Sequence, residues 1–275
     1  MTEMLWMHPR TLSEALDFVK DESMRVHGGG SHLMRNPKGS LRGLIDLSEL
    51  DLDFVRISKE WIDIGAMATY ADVVRALRNS FPENVFADSL SKSASTALRN
   101  RITIGGSLAL LPPWSNLLGP AIATDACVSL EGLNRGLYPV ADFQRNKLLL
   151  KGSLVHSLRI PVRHSLTIFH TEKRVAFDYP SFTITISADF ENNLFKNVRV
   201  VITGVANLFA RLESVERKIE GCSPAEVDAR VFCESLPISF TKKPLGSPQF
   251  LLELATVQLE RCVTKLVSLA SRKRG

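Results

Sequence analysis

Three consecutive glycines, Gly28, Gly29 and Gly30, follow a short apolar stretch and precede Ser31, His32 and Leu33. Glycine loses more conformational freedom on folding than any other residue, so three in a row are favoured where the backbone turns at positive φ or must be approached closely. One or two suffice for a tight turn. Successive backbone N–H groups lining a concavity suit an anion such as phosphate, and an ordinary turn after a strand is the plainer reading of the same residues. A second pair, Gly105 and Gly106, lies between Thr103 and Ser107 in "ITIGGSLALL". Two glycine loops a supersecondary unit apart can grip one extended ligand from two sides. Neither has the G-x-G-x-x-G spacing of a dinucleotide fingerprint, and neither carries the lysine of a Walker A loop.

The metal-ligating types are dispersed. Cys127, Cys222, Cys233 and Cys262 include no C-x-x-C pair, so an iron–sulfur cluster or zinc knuckle would have to sit on another chain. His27 and His32 are the close histidine pair, without a carboxylate or thiol beside them to complete a metal set. The net charge of +5 comes from scattered basic residues, and the one run, "SRKRG", reads as a solvated end. No apolar run approaches the roughly 20 residues of a membrane helix, and the N-terminus lacks the apolar core of a signal peptide. A cytoplasmic protein with neither nucleic acid nor membrane as partner is the expectation.

These loops need elements to position them. Thr11 can cap a helix with Glu14 as its capping-box partner, and "SMRVH" reads as a strand running into the first glycines. "WIDIGAMATYADVVRALRNS" starts as a strand and becomes a helix behind Thr69, and "VFADSLSKSASTALRNR" reads as a second helical segment. Further on, Ser181 to Phe190 and Asn197 to Gly204 read as two strands joined by the turn-like "ENNLFK", followed by two helical patterns. Strands alternating with helices predict an α+β architecture. At 275 residues two domains are expected, with a boundary between Arg163 and Ala176, set at residues 1–168 and 169–275.

In order along the chain stand "GGGSHLM", "LIDLSEL", "IGAMATYADV", "RNRITIGGSLA" and "KRVAFDYPSF". Their order and spacing resemble the flavin-binding medium subunit of the molybdenum hydroxylases, the xanthine dehydrogenase and carbon monoxide dehydrogenase family. The resemblance covers nearly the whole chain. It implies a two-subdomain FAD-binding domain of the PCMH type, followed by a smaller α+β domain of sheet and helices.

It also implies that Gly28, Gly29, Gly30, Ser31, His32 and Leu33 lie along the FAD pyrophosphate and ribityl chain, with Thr103, Gly105, Gly106 and Ser107 as a second wall. Asn116 would face the adenosine side, and Lys173 the isoalloxazine or else solvent. The chain departs from the family pattern at four of its positions. Ser107 stands for the usual Asn, Asn116 for an Asp, Tyr70 for a His, and His32 for an Asp or Ser. Trp114 either covers the cofactor or fills the core. Arg99 and Arg101 either meet an acidic partner or a nicotinamide phosphate, or merely snorkel over a helix end.

The function so implied is an electron-transfer subunit with no bond-breaking residue of its own. A large partner would carry a molybdenum-pterin centre and a small partner [2Fe-2S] clusters, with NAD+ as acceptor and xanthine as the substrate of the complex. Two rivals are an interaction subunit that has lost FAD or holds it loosely, and a stand-alone FAD oxidase of the vanillyl-alcohol type.

Overall fold

The computed structural model describes residues 4–33, 41–81, 83–110, 112–176, 178–229 and 236–272. Cys233, Phe177 and the last residues of the basic tail lie outside them. The chain divides into two compact units. One comprises 1–80, 95–111 and 125–162, and the other 81–94, 112–124 and 163–275.

The first unit holds two sheets. Strands β1 (Leu5–Met7), β2 (Met24–His27) and β3 (Gly43–Asp46) make a parallel sheet in the order β1-β3-β2. The connection from β1 to β2 is the helix Leu12–Val19, whose first turn is capped as expected: the Thr11 hydroxyl accepts the Glu14 amide at 3.2 Å. Ala15 on that helix meets Met24, Ile45, Leu47 and Leu154 in a small apolar core. Strands β4 (Val55–Ile57), β5 (Trp61–Gly65), β6 (Cys127–Gly132), β7 (Gly136–Pro139) and β8 (Ser153–Pro161) form an antiparallel sheet in the order β4-β5-β8-β6-β7. From the end of β5 the chain enters the helix Tyr70–Ser80, capped by Thr69. Its hydroxyl takes the Asp72 amide at 3.2 Å while the Asp72 carboxylate takes the Thr69 amide at 3.2 Å, a reciprocal capping box.

The second unit is built on β9 (Leu166–Glu172), β10 (Phe182–Glu191), β11 (Leu194–Val205) and β12 (Leu208–Arg211), in the antiparallel order β12-β11-β10-β9. The period-two alternation of β10 explains its burial on both faces. Phe182, Ile184, Ile186 and Ala188 pack with Leu251, Ala255, Leu259, Val263 and Leu266 of the long helix Pro248–Arg272. Thr183 and Thr185 point the other way, where Gly119 of the helix Leu118–Ala123 lies so close that a β-carbon on it would stand 2.7 Å from the Thr185 hydroxyl.

The hairpin differs from the sequence reading in its turn. The strands run to Glu191 and from Leu194, and only Asn192 and Asn193, at φ 51° and 65°, connect them. Two residues in the left-handed region match the right-handed twist of the flanking strands, and asparagine tolerates that region well. The segment read as one helix is also broken, into Val85–Ser91 and Thr96–Arg99. Ala94 at φ 42° separates them, and Ser95 caps the second.

His170 on β9 gives this unit a pH dependence. Its ring is half-buried against Phe182, and its Nε2 lies 3.0 Å from the Glu172 carboxylate. Burial holds the imidazole below its ordinary range; Glu172 opposes this, while Lys265 and Lys92 reinforce it. With the folded value lowered, the unfolded chain binds the proton more readily, so stability falls as pH drops through the ordinary histidine value of about 6.5. Urea unfolding at pH 5.5 and 7.5 should show this loss, and His170→Gln should reduce it. Equal pH slopes in the two proteins would show that the ring is not held neutral.

Candidate functional site

The first glycine loop leaves β2 directly after His27. Among the described residues no acceptor receives the amides of Gly28, Gly29, Gly30, Ser31 or His32. Backbone N–H groups are nearly always paired, so amides that meet no acceptor among the described residues can serve a ligand. Glycine is required here for two separate reasons. A β-carbon on Gly29 would fall 1.4 Å from the Arg101 carbonyl oxygen, and Gly30 adopts φ +65°. The loop therefore packs backbone to backbone against the segment that leads into the second glycine pair. Gly28 completes the contact, with the Thr103 hydroxyl 2.8 Å from where its β-carbon would be.

The second pair is not a loop. It forms the first turn of the helix Ile104–Leu110, and its amides are already engaged. Ile104 donates to the Ala68 carbonyl at 3.0 Å, Gly105 to the Ala66 carbonyl at 2.8 Å and Ser107 to the Thr103 carbonyl at 3.0 Å. The Gly106 amide donates to the Thr103 hydroxyl at 3.1 Å, so Thr103 caps the helix while also touching Gly28. The Ser107 hydroxyl turns back to the Thr103 carbonyl at 2.9 Å. What this segment presents outward is the exposed, side-chain-free surface of Gly106. The signal for this arrangement was the pairing of two motifs: the carbonyls of "IGAMA" receive the amides of "TIGG".

Below the first loop, His27 sits opposite Asp46 in the parallel register. Its Nδ1 is 3.5 Å from Asp46 Oδ2, within ion-pair reach although not hydrogen-bonded. Trp6 covers the pair, its ring centroid 5.2 Å from that of His27 and its indole N–H donating to Asp46 at 3.3 Å. Burial works to raise the Asp46 carboxyl, but the Ser48 amide and hydroxyl, the Trp6 indole and the His27 charge outweigh it and hold it below the ordinary range. The His27 Nε2 lies 2.7 Å from where a Gly30 β-carbon would be. Sequence reasoning did not single out this Trp6, His27 and Asp46 group.

Asn116 and Lys173 belong to the second unit. Asn116 is 3% exposed, and its Nδ2 donates to the Ser89 carbonyl at 3.2 Å. Its Oδ1 is buried and meets no donor among the described residues. Lys173 donates to the carbonyl of Lys92 at 2.7 Å, where Lys92 ends the helix Val85–Ser91. Burial first, and the Lys92 ammonium second, lower its proton affinity. Trp114 is half-buried, its ring 4.7 Å from that of Tyr179, which is 60% exposed. Arg99 donates to the Thr96 hydroxyl at 2.9 Å, and Arg101 to the Gly29 carbonyl at 3.1 Å. Tyr70 is buried in the first turn of its helix, and Asp125 occupies a left-handed turn at φ 54°.

Chemically, the first loop offers amide donors that meet no acceptor among the described residues. It suits a ligand that is itself rich in acceptors, such as a phosphate ester. Among the described residues no three His, Cys, Asp or Glu side chains converge as a metal set.

Comparisons with known proteins agree with this geometry. The glyceraldehyde dehydrogenase medium chain of Sulfolobus acidocaldarius is 24% identical over 233 residues, spanning 80% of this chain and 82% of that protein. Among solved structures, quinoline 2-oxidoreductase from Pseudomonas putida 86 superposes with a TM-score of 0.88 at 19% identity, covering 98% of each chain. A carbon monoxide dehydrogenase from Hydrogenophaga pseudoflava superposes with a TM-score of 0.85 at 20% identity, again over 98% of each. At such identities these likenesses establish the fold. The family described as the FAD binding domain in molybdopterin dehydrogenase matches residues 2–163, more than half of the sequence, and the chain belongs to that family.

Proposed function

We propose that this chain is the FAD-holding electron-transfer subunit of a molybdenum hydroxylase complex. The observation that carries the reading is the run of five amides from Gly28 to His32 that meet no acceptor among the described residues, in a chain of the FAD-binding family. In this reading Gly28 to Leu33 hold the pyrophosphate, whose oxygens accept from those amides. Thr103 keeps its hydroxyl proton for donation, and Gly105, Gly106 and Ser107 form the adjoining wall. FAD, when bound, supplies the capacity to take up electrons and pass them on. The chain supplies position and a donor-rich surface.

Asn116 and Lys173 enter the reading differently from the glycines. Each already serves a carbonyl of its own unit, so their proposed share is to keep that unit in shape. Partner subunits would carry the molybdenum-pterin centre and the [2Fe-2S] clusters. In this reading the organic substrate is bound by the molybdenum-bearing partner. Xanthine and NAD+ stand as the finer proposal, and the matched relatives are named for glyceraldehyde, quinoline and carbon monoxide.

Two measurements test this. The purified chain, incubated with FAD, should show flavin absorbance and release the flavin on acid precipitation. Co-expressed with its neighbouring molybdenum and iron–sulfur subunits, it should be required for substrate-dependent reduction of NAD+ or a dye, with xanthine, glyceraldehyde and carbon monoxide compared as substrates. A folded chain that takes up no flavin would favour the interaction-subunit reading, and a complex equally fast without it would defeat the relay.

A further inference from the structure

One residue holds the Gly29–Gly30 peptide from two sides. The Arg101 carbonyl oxygen closes off the α-carbon of Gly29, standing 1.4 Å from any β-carbon there. The Arg101 side chain curls back so that its Nε–H donates to the Gly29 carbonyl at 3.1 Å. Its guanidinium continues over the next residue, with Nη2 3.4 Å from where a Gly30 β-carbon would be and His27 Nε2 at 2.7 Å from the same point. A residue expected to face a partner or a nucleotide phosphate is thus folded onto the first glycine loop.

We infer that Arg101 is a positioning residue for FAD, fixing the plane of the Gly29–Gly30 peptide so that the Gly30 amide is aimed at the bound pyrophosphate. The inference rests on the reading of the loop as the FAD site. In a trans peptide the carbonyl and the N–H point in opposite directions, so a group that grips the carbonyl also aims the amide. With glycine on both sides, the backbone itself barely restrains rotation of this peptide. Arg101 supplies the restraint that the two glycines give up. It acts through the peptide, and the Gly29 carbonyl it grips is neutral.

That distinction shapes the test. FAD titration of the full chain by flavin fluorescence should show Arg101→Met weakening binding about tenfold or more, as expected for loss of a charge-assisted hydrogen bond, and Arg101→Lys should fall between. The ratio to the unsubstituted protein should stay constant between 0.05 and 0.5 M NaCl, because exposed charge pairs are screened over this range whereas a bond to a neutral carbonyl is not. In nitrogen-15 amide spectra, the Gly30 resonance should shift on FAD addition in the unsubstituted chain and much less in Arg101→Met. If Arg101→Met and Arg101→Lys, both folded by thermal unfolding, bind FAD as tightly as the unsubstituted chain, Arg101 has no such role while the FAD reading stands. A loss that vanishes at high salt would make Arg101 a direct charge contact and overturn the inference. If the unsubstituted chain binds no FAD, the parent reading fails with it, an outcome visible before any variant is made.

Discussion

Gly29→Ala should abolish measurable FAD binding, raising the dissociation constant at least about a hundredfold, or roughly 2.7 kcal/mol. The added methyl would sit 1.4 Å from the Arg101 carbonyl oxygen, less than half an ordinary contact distance. Backbone must therefore move, because the obstacle is not a flexible side chain. The Gly28 to Thr103 contact lies next to it, so the two glycine segments should separate and the amide row lose its shape. The damage should be local. Trp114 is the tryptophan of the second unit, and Trp6 and Trp61 belong to the first. FAD titration of Gly29→Ala alone should show no binding, while Trp114 fluorescence, isolated in a Trp6→Phe, Trp61→Phe background, should report an unaltered second unit. Retained affinity in Gly29→Ala would mean that the close packing of the two segments has no bearing on the site.

A second large effect is expected at Asn116, where the family pattern would have an aspartate. Asn116→Asp should destabilise the protein by about 3–4 kcal/mol at pH 7 and far less near pH 4. The asparagine amide donates to the Ser89 carbonyl at 3.2 Å, with the side chain 3% exposed. A carboxylate in its place has no proton to donate and faces that carbonyl oxygen, with no donor among the described residues for its other oxygen. Taking up a proton would restore the bond. Starting from an ordinary value near 3.9, holding that proton at pH 7 costs about 4 kcal/mol, which sets the ceiling. The sign follows from linkage. The folded-state value is raised, so the folded protein binds more protons than the unfolded one, and stability declines as pH rises above about 4. Urea unfolding of both proteins at pH 4.5 and 7, followed through Trp114, measures it. A pH-independent difference would mean that the carboxylate finds a donor or water.

What could be read from the sequence, and what could not, divides along the range of the interactions involved. Thr11 and Thr69 were recognisable as caps because a cap and its partner lie three residues apart. The triple glycine was recognisable as a close-approach loop because no other residue tolerates one. The identity of what approaches it, the backbone of Arg101, is 72 positions away and leaves no local trace. The Gly105 and Gly106 pair was misread for the opposite reason. Glycine lowers helix propensity, but here the amide bonds to Ala66 and Ala68 and the Thr103 cap fix the turn as helix. "ENNLFK" was read as a long turn from its polarity, although Phe195 within it is fully buried. The assignment of Val85–Ser91 and Leu118–Ala123 to the second unit was beyond any periodicity argument, since both helices are too short, at seven and six residues, to show a repeat.

That assignment has a consequence during synthesis. Leu118 to Ala123 are all buried in the finished protein, yet the two strands that cover Gly119, β10 and β11, are not complete until Val205, roughly 80 residues later. At about 5–20 residues per second, this leaves a wholly apolar helix without its cover for roughly 4–16 s. Fragments ending between residues 124 and 180 should therefore bind chaperones or aggregate. A nascent-chain series should lose that stickiness only once β10 and β11 have cleared the ribosome.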